Sequence, residues 1–495
     1  MIYDLIDTLI DYALKNELIV KEDEIYFKNR LIEFLKLDDY KNGNVLELSF
    51  EKLIDEFDKY AVGNNLISDT TVEKDIFDTK LMSILTDRPS VISKKFYELY
   101  KNNKVEATNY FYNYSILTNY IRKYRVEKDL KWSKKSDKYG RIDITINLSK
   151  PEKDPKDIER QKNMPKSNYP ICLLCKENEG YAGRINHPAR GNIRLIPLKL
   201  DNEDFFMQYS PYSYYNEHSI ILSSEHKPMV IDEKTIKKLL DFVEFLPHYF
   251  IGSNADLPIV GGSILAHEHF QGGRYRFPMQ DAKEIKKFAL TGLKSVNAAI
   301  LKWPLSVIRI SAKDKNDLVK AFKLIMDKWV NYTDEDAEIY AYTDGIRHNT
   351  ITPIARINDD NLFELDLVLR NNLTTDKYPL GIFHPHEEFH HIKKENIGLI
   401  EVMGLAILPS RLKLELEKLA EAILDNKDIT SDEMLKKHAI WKEEMVKKYT
   451  FTKDNVFDIL KDEVADIFLR LLEDSGVFKQ DEEGISNFIK FTNLL

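Results

Sequence analysis

Cysteine is nearly absent: a chain of 495 residues carries two, Cys172 and Cys175. So few thiols exclude the disulfide framework on which small secreted domains depend. No uncharged apolar run reaches eighteen residues, so nothing in the sequence reads as a bilayer-spanning helix. The stretch "MIYDLIDTLIDYALKNELIV" is interrupted by Asp4, Asp7 and Asp11 and lacks a basic leader, which argues against a secretory signal and for an amphipathic helix. A cytoplasmic protein is expected. Basic charge is not in excess either. With 72 Lys and Arg against 81 Asp and Glu, the net charge of −9 argues against a general nucleic-acid or anionic-membrane binder, while a local pocket for a small anionic substrate stays open. No GxxxxGK(S/T) phosphate loop is present, no segment reads as an HExxH helix, and no GxGxxG follows a strand, so the usual phosphate-loop, zinc-protease and dinucleotide signatures do not apply.

What is present has a clear order. A chain this long exceeds one ordinary core, and two to four compact units are expected. Residues 1–130 read as helices: Leu5, Leu9, Ala13 and Leu18 fall near one face, and "SVISKKFYELYKNNKVEATNYFYNYSILTNYIRKY" has helical spacing. "KWSKKSDKYG" reads as a loop. It precedes "RIDITINLS", where Ile142, Ile144, Ile146 and Leu148 alternate with polar residues at the period of a half-buried strand. Strand "HSIILSS", helix "IDEKTIKKLLDFVEFLPHYF" and strand "SILAHEHFQ" are followed by a second set, "LSVIRIS", "KNDLVKAFKLIMDKWVNY" and "TITPIARI". "NLFELDLVLRN" then follows across "NDDN", which reads as a hairpin loop. This predicts an α+β protein with two similar halves, 131–285 and 286–408, between helical regions 1–130 and 409–495. Thr430 to Glu433 reads as a capping box before "MLKKHAIWKEEMVKKY".

Chemistry concentrates in "GGSILAHEHFQGG". On a strand, His267, His269 and Gln271 would share one face, with Ala266, Glu268 and Phe270 on the other. An exposed strand with incidental histidines is the plain alternative. Gly261, Gly262, Gly272 and Gly273 shift the balance, because they permit close backbone approach to a ligand. Neutral imidazole attacks phosphorus well, and the phosphoramidate it forms transfers its group onward. A neighbouring glutamine can donate its amide N–H to a phosphoryl oxygen without a titrating proton, which suits a leaving group that is itself a phosphate. In "YPICLLCKEN" the Cys-X2-Cys spacing matches half of a tetrahedral zinc site; a redox pair and two buried small hydrophobes are the competing readings. The remaining ligands would come from His187, His218, His226, His267 and His269, among which spacing does not choose.

The Cys-X2-Cys, "QYSPYSYYNEHSIILSSEHKPM", "GGSILAHEHFQGG" and "FHPHEEFHHIKKENIGLIEVMGLAILP", in this order, resemble the galactose-1-phosphate uridylyltransferase family, specifically its second, bacterial class. The resemblance covers nearly the whole chain. It implies two histidine-triad-like antiparallel-sheet halves, a homodimer, no organic cofactor, and ping-pong exchange between UDP-glucose and galactose 1-phosphate through a uridylyl-histidine. By motif, His269 resembles the nucleophile and Gln271 the residue that steadies the phosphoryl oxygens. His267 resembles a metal ligand, joined by Cys172, Cys175 and His226 around one structural zinc. Asn254 resembles an asparagine near the nucleotide, and Lys394 in "KKENIG" a phosphate-contacting lysine.

Two departures stand out. Glu268 replaces a proline of the better-known class, and Glu364 and Asp366 stand where that class has His-X-His, which argues against a second metal site. His384, His386, His390 and His391 are given no metal role. The alternatives are a histidine-triad-type nucleotide hydrolase or dinucleotide phosphorylase and, from another class, a zinc-stabilised binding protein without turnover. Gln271 in place of a third histidine favours transfer to a phosphate acceptor.

Overall fold

The computed structural model describes residues 1–149, 167–262 and 264–495. Amphipathic spacing delivers the N-terminal region as helices at Ile2–Lys15, Glu24–Phe34, Phe50–Gly63, Thr71–Ile84, Pro89–Asn102 and Lys104–Leu117. Leu5, Leu9, Ala13 and Leu18 are buried, as their spacing predicts. Ser49, Thr70 and Asn103 cap three of these helices, each accepting from backbone N–H groups two or three residues on.

The strands are β1 Leu130–Ser136, β2 Gly140–Ile146, β3 Ile196–Leu200, β4 Glu203–Tyr209, β5 Ser219–Ser223, β6 Phe250–Gly252, β7 His269–Gly273, β8 Glu284–Phe288, β9 Asn297–Leu301 and β10 Val307–Ala312. A short ribbon, β11 Tyr342–Thr343 and β12 Ile346–Arg347, precedes β13 Asn349–Ile357, β14 Phe363–Asn371 and β15 Leu405–Leu408. Ten of them form one sheet in the order β3-β4-β5-β7-β6-β13-β14-β10-β9-β8, every neighbour antiparallel. The two strand–helix–strand sets meet at β6 and β13, where Gly252 pairs with Ile354 and Ile251 with Ala355.

Helices Glu233–Phe245 and Lys315–Trp329 pack on one face of this sheet and share a core with the N-terminal helices. Strand alternation sends Phe270 into that core, stacked on Phe205 at 5.8 Å, and leaves His269 and Gln271 for the other face. There a second core joins Ile354 and Val368 to β2, β15 and the helices Arg411–Leu424 and Val456–Ser475. Helical terminal regions thus flank an α+β centre.

Two local expectations are corrected. "KWSKKSDKYG" is mostly strand: β1 and β2 form a hairpin, and β2 runs parallel to β15. β1 is the edge of that three-stranded sheet, and its lysines are the charges by which an exposed edge avoids further pairing, so its composition imitates a loop. Thr430 starts no helix. Its N–H and hydroxyl donate to Asp428 in a turn, and the helix begins at Ala439.

Candidate active site

His267 does not lie on the strand with His269. β7 starts at His269: the Glu268 carbonyl still accepts from Ser223 N–H at the end of β5, but the Glu268 N–H leaves the ladder and donates to the Lys227 carbonyl beyond that strand. His267 therefore turns away, toward the cysteines. Its Nδ1 lies 3.3 Å from Cys172 Sγ and 3.7 Å from Cys175 Sγ, the sulfurs are 3.6 Å apart, and His226 Nδ1 is 3.3 Å from Cys175 Sγ. Metal–ligand bonds of about 2.3 Å to sulfur and 2.0–2.1 Å to nitrogen give tetrahedral edges of about 3.3–3.8 Å. The four separations above match these edges, and with all four donors within 4.8 Å of one another the cluster could hold a metal ion. His267 Nε2 donates to the Ser223 carbonyl at 2.9 Å, which leaves the Nδ1 lone pair for the cluster.

The same bend places the carbonyl oxygen of His267 2.8 Å from His269 Nδ1. A carbonyl only accepts, so Nδ1 carries the ring proton and Nε2 the lone pair. Burial pushes the His269 imidazole down to about 4, so it is neutral at pH 7. Next on the same face, Gln271 Oε1 lies 3.0 Å from His218 Nε2. The charge at Glu268 is buried and answered: Lys238 Nζ lies at 2.7 Å and Lys227 Nζ at 3.2 Å.

His269 and Gln271 open on a cleft of about 640 Å³, a size suited to a small-molecule ligand. Asn254 lines it from the end of β6, with its Oδ1 accepting from Leu399 N–H at 2.9 Å. Gly262 leaves room for this side chain, since a Cβ there would sit 2.6 Å from Asn254 Nδ2 and displace it. Arg190 is the one cation among the described lining residues, and sequence spacing gave no sign of it, because it lies far from the histidine strand. Lys394 is exposed and not among the lining residues, whereas its neighbours Glu395 and Asn396 are; Lys393 is buried and paired with Glu401 at 2.7 Å.

In the second half Glu364 and Asp366 face arginines. Arg309 grips Asp366 through Nε at 2.6 Å and Nη2 at 2.9 Å, while Arg356 bonds to Asp366 and, through Nε at 2.8 Å, to Glu364. Two guanidinium groups thus balance the two carboxylates. Among the loop histidines, His384 Nε2 contacts Asn396 Oδ1 at 3.0 Å, His386 and His390 donate to backbone carbonyls, and His391 meets His438.

Residues 17–228 match the galactose-1-phosphate uridyl transferase N-terminal domain, and residues 242–443 its C-terminal domain. Similar proteins named galactose-1-phosphate uridylyltransferase include one from Clostridium acetobutylicum, 50% identical with 100% of both chains covered. One from Fusobacterium nucleatum is 51% identical, covering 99% of this chain and 98% of its own, and one from Bacillus subtilis is 46% identical, covering 99% and 97%. With both domains matched and such identity sustained from end to end, the chain belongs to the galactose-1-phosphate uridylyltransferase family.

Proposed function

We propose that this chain is a nucleotidyltransferase that exchanges the uridylyl group between UDP-glucose and galactose 1-phosphate, giving glucose 1-phosphate and UDP-galactose through a covalent uridylyl-His269. The observation that carries this reading is the neutral, buried His269, whose Nδ1–H is held by a backbone carbonyl so that Nε2 is the nucleophilic nitrogen in the cleft.

Nε2 attacks the α-phosphorus, a P–N bond forms, and the P–O bond to glucose 1-phosphate breaks. The leaving group departs as a phosphate anion and needs no proton. The positive charge that develops on the ring is eased by the Nδ1–H bond to the His267 carbonyl. Galactose 1-phosphate then attacks the same phosphorus with an oxygen that is already anionic, so no general base is required, and His269 returns neutral. This economy favours a phosphate acceptor over water, whose proton would have to be removed.

Gln271 donates from its amide to the phosphoryl oxygens. Asn254 contacts substrate from within the cleft and Lys394 from the exposed segment beside it, while Arg190 offers the cleft's positive charge to the phosphates. Cys172, Cys175, His226 and His267 would hold one zinc ion, which when bound cross-links the chain ahead of β7 and supplies no chemistry at phosphorus. The test is steady-state exchange of UDP-glucose with galactose 1-phosphate: parallel double-reciprocal lines are expected, and intersecting lines would contradict a covalent relay.

A further inference from the structure

We propose that His218 is the positioning residue that sets the side-chain amide of Gln271 for uridylyl transfer, a role that rests on the function proposed above. His218 immediately precedes β5 and is buried, only 2% exposed. Register explains its reach. Ser219 pairs with Gly272 and Ile220 with Gln271, which puts His218 opposite Gly273 and on the diagonal from Gln271. Gly273 has no side chain to block that diagonal. The imidazole crosses it, flanked by Tyr214 at 5.5 Å and Tyr215 at 4.4 Å between ring centroids, and brings Nε2 to 3.0 Å from Gln271 Oε1.

The direction of this hydrogen bond follows from what is left without a partner. His218 Nδ1 is buried and has no hydrogen-bond partner among the described residues. A proton there would be an orphaned buried N–H, which folded proteins rarely tolerate. It would also force Gln271 to turn its NH₂ onto Nε2 and present its oxygen to the cleft, where that oxygen would repel phosphate. With the proton on Nε2, His218 donates to Gln271 Oε1, and the NH₂ of Gln271 is turned toward the cleft beside His269. Burial pushes the His218 ring down to about 4, so it holds this neutral form at working pH. Among the described residues no carboxylate is paired with the ring, and it stands outside the Cys172–Cys175–His226–His267 cluster. Its contribution is therefore the orientation of its neighbour's donor.

The test is the single-turnover rate of uridylyl-His269 formation from UDP-glucose, read by rapid quench and intact mass. His218→Phe keeps an aromatic ring against the two tyrosines and removes the donor. It is expected to slow adduct formation about 10- to 100-fold, less than the roughly 10²- to 10³-fold cost of deleting an oxyanion donor outright. KM for UDP-glucose should change less than about 3-fold, as befits an interaction strengthened in the transition state. His218→Gln, which restores an N–H, should recover most of the rate. In a Gln271→Ala background the His218→Phe change should cost under about 3-fold, because its target is gone.

An equal loss in both backgrounds, or a parental rate for His218→Phe, overturns the proposal. Absence of any adduct on the parent overturns the functional reading and this inference with it. Should His218→Phe fail to fold, ¹⁵N NMR of the parent decides: a proton on His218 Nε2 is expected, and one on Nδ1 overturns the assignment.

Discussion

His269 donates from Nδ1 to the carbonyl oxygen of His267 at 2.8 Å, while the ring of His267 points its own Nδ1 at two cysteine sulfurs. One residue thus links the candidate metal centre, through its side chain, to the proposed nucleophile, through its main chain. On the proposed function, the centre would act on chemistry only by holding that peptide in place.

Removing a cluster ligand should therefore affect folding before it affects catalysis. Structural zinc contributes about 10–16 kcal/mol in small finger peptides, and a fraction of that would dominate local stability here. Cys172→Ser, or chelation of the parent, is expected to lower the unfolding temperature clearly, with a smaller loss of turnover per folded molecule. Thermal unfolding alongside active-site titration checks this; an unchanged unfolding temperature would contradict it.

Glu268 is buried between Lys238 and Lys227. Lys238→Met leaves the carboxylate with its half-exposed partner alone and should cost about 3 kcal/mol in urea unfolding, in line with removing one member of a buried pair. Adding Glu268→Leu should recover much of that loss, since the unpaired charge goes with it. A single variant as stable as the parent would show that the pair contributes nothing.

The arginines at Glu364 and Asp366 make a prediction about metal content. Asp366 is wholly buried, which alone would raise its pKa, yet Arg309 and Arg356 hold it below the usual carboxylate range. Carboxylates so engaged are poor ligands. Elemental analysis should find one equivalent of metal per chain, lost in Cys175→Ser and kept in Glu364→Gln; loss of metal in the latter would contradict the assignment.

Glu415 predicts a pH dependence. Its burial favours the neutral acid, but His438 at 3.0 Å, Lys437 and Arg411 outweigh it and hold the carboxyl down to about 2. A carboxylate whose pKa is lower in the folded state stabilises the fold above its unfolded value, near 4.5, and loses that contribution as pH falls toward 2. Glu415→Gln should be less stable than the parent at pH 7, and the gap should close as pH drops through this window. A gap independent of pH would contradict the ion pairing.

Local pattern was legible in the sequence; long-range consequences were not. Alternation and helical spacing located β5, β10, β13 and β14 and the helices between them, and "HEHFQ" pointed to His269 as the proposed nucleophile. The joining of β6 to β13 and of β2 to β15 depends on residues about 100 and 260 positions apart, on which periodicity is silent. Period-two reasoning put His267 on one strand face with His269, but the Glu268 N–H turns to the Lys227 carbonyl and the strand begins only at His269. His218 and Arg190 carry no spacing signal, since each reaches the site through space, from β5's edge and from the segment before β3.

The central claim is a covalent uridylyl-histidine. The most direct measurement is intact-protein mass spectrometry after incubation with UDP-glucose and no acceptor, on the parent and on His269→Ala. One uridylyl adduct on the parent alone, discharged by galactose 1-phosphate, is the predicted result. A folded, metal-replete parent without an adduct, or an adduct that persists on His269→Ala, would contradict it.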